Sequence, residues 1–171
     1  MSARGFTLIE ILVALTILAV VAGILVLSTS NAGNEPRLRR ETERLQARID
    51  AACERAELTG RDLGLHLGEG GYAFSQRRGD AFEIQTEPPL SPYQLPADMH
   101  FELEERELDK VFSEQPLMLC FSSGERTPIV LGVLAGSNDP AFRLVIGTLG
   151  ASQMQRRLPN ERNWQDWKLQ K

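Results

Sequence analysis

One stretch constrains this chain more than any other: residues 6–27, FTLIEILVALTILAVVAGILVL, are apolar almost without interruption. At about 1.5 Å of rise per residue, a helix of roughly that length matches the ~30 Å hydrocarbon core of a bilayer. The whole chain is 42% hydrophobic and 25% charged, yet Glu10 is the only charge inside the run, so nearly all the charge lies elsewhere. No proline breaks the run, Gly23 is its only weak helix former, and Thr7 and Thr16 can return their hydroxyls to backbone carbonyls. The sequence therefore predicts a membrane-spanning helix over residues 6–28.

Glu10 decides what kind of span this is. A secretory signal has an apolar region of about 7–15 residues and no carboxylate near its start. A plain signal anchor also leaves Glu10 unexplained, because an acidic side chain at the centre of a span costs about 2.5–3.5 kcal/mol. Lying near the helix N-terminus softens that cost, since the macrodipole there favours a negative charge. The preceding residues supply the context: a tiny basic leader with Arg4, then Gly5-Phe6-Thr7-Leu8-Ile9-Glu10. This motif resembles the processing site of type IV pilins and type II secretion pseudopilins. The resemblance implies a prepilin peptidase that cuts after Gly5 and methylates Phe6 as the new N-terminus. It also implies that Glu10 of one subunit neutralises the α-ammonium of a neighbour, since pairing offsets the cost of burying each charge alone. One feature pulls the other way. Arg37, Arg39 and Arg40 follow the span and only Arg4 precedes it, so a positive-inside count alone would place the N-terminus outside. The short leader and the motif outweigh that count, leaving the N-terminus in the cytoplasm.

Beyond the span, Pro36 suits a helix start. Leu38, Thr42, Leu45, Ile49, Ala52, Cys53 and Ala56 then recur at three- and four-residue spacing up to Gly60. That pattern is one narrow apolar stripe on an otherwise charged helix, whose remaining faces read as solvated and laced with i,i+4 pairs. After Gly60 the period changes to two. Leu63, Leu65 and Leu67 alternate, Gly68-Glu69-Gly70-Gly71 turns the chain, and Tyr72 and Phe74 resume the alternation. Further strands are predicted over 81–84, 99–103, 117–121, 128–134 and 141–148. Residues 85–97 carry Pro88, Pro89, Pro92 and Pro96 and read as a long surface loop without regular structure. A helix followed by many short antiparallel strands is an α+β chain, with a sheet wrapped against the helix stripe.

The long N-terminal helix packed on a C-terminal antiparallel β-domain is itself similar to the pilin-like fold. Gly60-Arg61-Asp62-Leu63-Gly64-Leu65 and Phe121-Ser122-Ser123-Gly124-Glu125-Arg126-Thr127-Pro128 resemble the H-type minor pseudopilins of type II secretion. That resemblance implies four parts: a leader (1–5), a membrane and filament-core helix (6–28), its amphipathic periplasmic continuation (29–59) and a β-rich periplasmic domain (60–171). It implies a single-pass protein in the inner membrane of a Gram-negative bacterium, and a subunit of the pseudopilus that helps push folded exoproteins through the outer membrane. The partners it implies are the prepilin peptidase, other minor pseudopilins, the major pseudopilin and the inner-membrane assembly platform. The alternative is a minor pilin of a type IV pilus, serving assembly priming or DNA uptake.

The residues offer little catalytic chemistry. His66 and His100 lie in predicted strands among apolar neighbours, without the ligand cluster a metal site needs, and read as ordinary sheet residues. Gly68-Glu69-Gly70-Gly71 lacks the following Lys-Ser/Thr of a phosphate loop, and no H-E-x-x-H or G-x-S-x-G occurs. The expectation is a protein that is not an enzyme and has no cofactor. A net charge of −4 also argues against nucleic acid as a partner. The tail carries Arg156, Arg157, Arg162, Trp164 and Trp167. It reads as a terminal extension packing its tryptophans on the sheet, because Glu161 and Asp166 dilute the basic residues that base stacking and phosphate contact would use. Cys53 on the helix stripe and Cys120 in an apolar strand are either two separate buried thiols, the simpler reading, or a disulfide permitted by a periplasmic location.

Overall fold

The computed structural model describes residues 8–19, 34–104, 114–136, 141–158 and 161–167. Residues 8–19 form helix α1, and Asn34–Thr59 form helix α2. The stripe read from the sequence is the buried face of α2: its seven residues are each at most 2% exposed. Thr42 can lie in that stripe because its hydroxyl donates to the carbonyl of Leu38 at 2.8 Å. The helix stops where Gly60 takes a left-handed φ of 65° and the amide of Arg61 bonds back to the carbonyl of Ala56 at 3.2 Å, a Schellman closure that favours glycine.

Among the described residues ten strands follow: β1 Leu63–Gly68, β2 Gly71–Arg78, β3 Ala81–Ile84, β4 Tyr93–Gln94, β5 Met99–Leu103, β6 Met118–Cys120, β7 Ile129–Ala135, β8 Ala141–Ile146, β9 Gln153–Arg157 and β10 Gln165–Asp166. They build two antiparallel sheets rather than the one expected. The first runs β3-β2-β1-β6, with β4 added to β2, and the second runs β10-β9-β8-β7-β5. Helix α2 lies against both, touching β1 and β6 of one and β7, β8 and β9 of the other. The hydrophobic core fills this seam. Leu63, Leu65, Tyr72 and Phe74 come from the first sheet, and Leu131, Val133, Phe142 and Leu144 from the second.

The β1–β2 hairpin has the predicted turn, pairing Leu63 with Gln76 through to Gly68 with Gly71. Its alternation suggested one wet face, yet all six residues of β1 are buried. Residues 114–117 cross the second face, where Pro116 sits so close that a Cβ on Gly64 would fall 2.5 Å from the proline Cβ. His66 on that face is buried and shares a 2.8 Å hydrogen bond with the Ser75 hydroxyl.

Three further expectations change. Residues 85–97 are not free of regular structure: Tyr93 and Gln94 pair with Tyr72 and Gly71 as β4. The tail does pack Trp167 on the sheet, 5.8 Å from the Phe142 ring centre, but it is more than an extension, because β9 and β10 complete the second sheet. Cys53 and Cys120 are not separate thiols. They are joined in a disulfide with Cα atoms 4.9 Å apart, which bonds α2 to β6 inside the core.

Candidate functional site

Gly5 and Phe6, the expected cleavage position and methylated residue, lie outside the described residues. Helix α1 begins just after them and carries the third motif residue, Glu10, on an exposed position. Its apolar side chains are exposed all round: Leu8 83%, Ile9 71%, Leu15 61% and Leu18 64%, with Ile11, Leu12, Val13 and Ile17 near one half. Thr16 returns its hydroxyl to the carbonyl of Val13 at 2.8 Å. A helix apolar on every face has no stable place in water, and needs either lipid or other helices around it. Among the described residues no helix is long and apolar enough to cross a membrane. Residues 8–19 amount to about 18 Å of helix, and residues 20–27 of the run fall outside the described part.

The second feature is how the β-domain is held on α2. The charges on α2 read from the sequence as a solvated face, but several cross to the sheets instead. Glu35 meets Arg156 at 2.7 Å, Asp50 meets Arg126 at 3.0 Å and Arg37 meets Asp98 at 3.0 Å. Of the three arginines that upset the positive-inside count, Arg37 is thus paired. Arg39 lies 3.7 Å from Glu43, and Arg40 alone has no ion-pair partner among the described residues.

The largest such contact centres on Arg48. Its Nε donates to the carbonyl of Pro89 at 2.6 Å, one terminal nitrogen donates to the Tyr72 hydroxyl at 3.1 Å, and the other donates to the carbonyl of Ser91. The guanidinium also stacks 5.0 Å from the Tyr72 ring centre and 5.8 Å from that of Tyr93. Next to it, the Tyr93 hydroxyl donates to Glu41 at 2.8 Å and accepts from Arg44. Burial raises the pKa of both phenols above 10. Hydrogen bonding and charge from Arg48 pull Tyr72 part of the way back, whereas the hydrogen bond to Glu41 raises Tyr93 further. Both are therefore neutral at physiological pH, Tyr93 donating to Glu41 and Tyr72 accepting from Arg48. The knot fixes the Pro-rich segment, whose Leu90 is buried in the core. Reading the sequence missed it, because an arginine beside an apolar stripe signals nothing until the aromatic residues that meet it are known.

Arg48→Met should keep the aliphatic stem but leave two carbonyls without their donor, costing about 2–3 kcal/mol. The expected result is a lower melting temperature for the detergent-solubilised chain, with new proteolytic cuts confined to residues 85–97. An unchanged cleavage pattern would show that Arg48 does not hold the segment.

The histidines do not meet. His66 lies in the first sheet and His100 is exposed on β5 in the second, opposite Leu134. Among the described residues no group of three His, Cys, Asp or Glu side chains could hold a metal ion. A cleft of about 310 Å³ between α2 and β9–β10 is bordered by Glu43, Gln46, Asp166 and Trp167, with no histidine or cysteine in its lining. The features that stand out among the described residues are surfaces and an exposed apolar helix, and the His66–Ser75 pair is buried in the first sheet.

Among known proteins, residues 1–26 match the prokaryotic N-terminal methylation motif. The chain is 34% identical over 143 residues to type II secretion system protein H of Pseudomonas aeruginosa, covering 76% of this chain and 82% of that protein. It is 28% identical over 155 residues to the protein of the same name from Aeromonas hydrophila, covering 81% and 84%. Two solved structures share the fold. The minor pseudopilin EpsH from the type II secretion system of Vibrio cholerae matches with a TM-score of 0.59 and 19% identity, over 77% of this chain and all of that one. The solution structure of Escherichia coli GspH matches with a TM-score of 0.58 and 20% identity, over 74% and 92%.

Proposed function

The chain belongs to the type II secretion system protein H family, a family of minor pseudopilins, and on that premise we propose that it is a filament subunit processed after Gly5 and assembled through residues 6–27. The observation that carries this reading is α1: large apolar side chains exposed on every face, with Glu10 among them, inside the segment that matches the N-terminal methylation motif. Before assembly the apolar run holds the subunit in the inner membrane, with the cytoplasmic leader in reach of the prepilin peptidase and the β-domain in the periplasm. After assembly the same run forms filament core, surrounded by the equivalent helices of the major pseudopilin and other minor pseudopilins. Growth of that filament from the inner-membrane platform pushes folded exoproteins toward the outer membrane. The core of α2 and two sheets, tied by Cys53–Cys120, suits a rigid part that transmits force. The relatives named above carry a type II secretion name, which favours that system over the pilus alternative.

The test is intact mass and N-terminal peptide sequencing of the protein extracted from membranes of its native host. The expected mature chain starts at N-methylated Phe6. An uncut Met1 in cells that contain the peptidase would return residues 6–27 to a plain anchor and overturn the proposal.

A further inference from the structure

Where α2 begins, arginine and tryptophan side chains from distant stretches of sequence interleave. Arg156 on β9 reaches Glu35 in the first turn of α2, and its guanidinium lies 5.0 Å from the Trp167 ring centre. Arg39, one turn along α2, approaches the same ring at 5.9 Å. On the other face of the second sheet, Trp164 is stacked by Arg143 at 4.4 Å and Arg157 at 4.9 Å. The chain has two tryptophans in all, and both stand here.

Three carboxylates of this region are ion-paired, and two more keep their charge while held by amide donors. Glu35, Glu43 and Glu104 pair with Arg156, Arg39 and Arg143, while Asp166 and Glu161 accept from Gln155 and Gln165. Arg40, Arg157 and Arg162 have no ion-pair partner among the described residues, and Arg40 and Arg162 are exposed. A guanidinium left free is well matched to phosphate oxygens, and tryptophan beside arginine is the side-chain mixture that settles at the headgroup level of a membrane. Chain connectivity fixes which surface is near. Helix α2 starts about seven residues after the apolar run ends, a reach of at most ~25 Å even when extended. The chain as a whole carries a net charge of −4, so an anionic surface would repel its other sides and turn this end toward itself.

We propose that this arginine–tryptophan collar rests on the anionic phospholipid headgroups of the bilayer that holds residues 6–27, seating the β-domain on the membrane before the subunit enters a filament. The inference rests on the reading of residues 6–27 as the membrane segment. The test places the full chain in vesicles of phosphatidylcholine, or of the same lipid with a third replaced by phosphatidylglycerol. Both carry a trace of lipid with a nitroxide on its headgroup, and tryptophan fluorescence is recorded. Both tryptophans lie in the collar; Trp167 packs on Phe142 with its indole nitrogen buried and supplies a steady baseline, so the change reports mainly on Trp164. Quenching should be roughly twofold stronger in the anionic vesicles, and that gain should vanish at high salt. It should also vanish in Arg40→Glu/Arg162→Glu, which changes two exposed positions and leaves the fold in place. Equal quenching in both vesicle types, with the chain floating alongside them, overturns the collar alone. A chain that does not float with either vesicle overturns the membrane reading beneath it, and the collar with it.

Discussion

Replacing Cys53 and Cys120 together by alanine should lower the melting temperature of the detergent-solubilised chain by about 10 °C, the largest stability loss expected of any change in the β-domain. The bridge closes a loop across a sequence separation of 67 residues. Constraining an unfolded chain over a loop of that length contributes about 4 kcal/mol on the chain-entropy account. The position adds to the effect. Both sulfurs lie in the core, where α2 meets β6, and β6 is held by only three paired residues on β1. Without the bond, the short strand loses its covalent tie to α2 and is left with its pairing to β1, the Cys120–Arg126 bridge and packing. Alanine rather than serine keeps a hydroxyl out of an apolar site. Two measurements check the account: a thiol count on the denatured, alkylated wild-type chain, expected to find none free, and thermal unfolding of the double variant. Two free thiols in protein from an oxidising compartment, or an unchanged melting temperature, would refute it.

The sequence made α2 legible because a helix stripe is a local signal. Leu38 through Ala56 repeat at a spacing that only one helix face satisfies, and Gly60 marks the stop. The β1–β2 hairpin and β5 were equally readable, since alternation and a glycine-rich turn need no knowledge of the partner. What escaped depends on residues far apart in sequence. β4 consists of two residues that count as a strand only because Tyr72 and Gly71 lie beside them. In β9, Met154 faces the core while Arg156 extends to Glu35, so its polar composition hid a strand. The division into two sheets follows from α2 having two flanks to cover, which no single segment announces. For the same reason the disulfide was undecidable: each cysteine sat on an apolar face, but their approach is set by the crossing of α2 over β6. The motif at Gly5, Phe6 and Glu10 is the reverse case. It is clear in the sequence, yet only Glu10 falls among the described residues, so its meaning has to be tested by function.

Glu10→Val should leave peptidase cleavage within about twofold of wild type while reducing incorporation into filaments by roughly a hundredfold or more. The separation follows from where the charge is needed. Glu10 is exposed on α1, among side chains that are otherwise apolar, so the monomer draws no stability from it that valine would lose. In a membrane monomer the carboxylate can stay near the headgroups, and the favourable helix N-terminus further reduces its cost. In the proposed filament, α1 would be surrounded by equivalent helices, and the α-ammonium of a processed Phe6 would be buried with them. Removing one partner of a buried ion pair costs about 3–5 kcal/mol, because the remaining charge is left uncompensated. That range corresponds to a factor of about 10² to roughly 4 × 10³ in an assembly equilibrium. Glu10→Gln distinguishes charge from packing, since it keeps the shape and hydrogen-bonding capacity and should fail nearly as badly as valine. Gly5→Leu provides the opposite dissociation: with a branched side chain at the scissile position, the leader should remain uncut and no Phe6 ammonium should appear. The readouts are the mass of the membrane form and the amount of subunit cross-linked into sheared filaments. Full incorporation of Glu10→Val would show that assembly does not use this carboxylate, and cleavage of Gly5→Leu would move the processing site elsewhere.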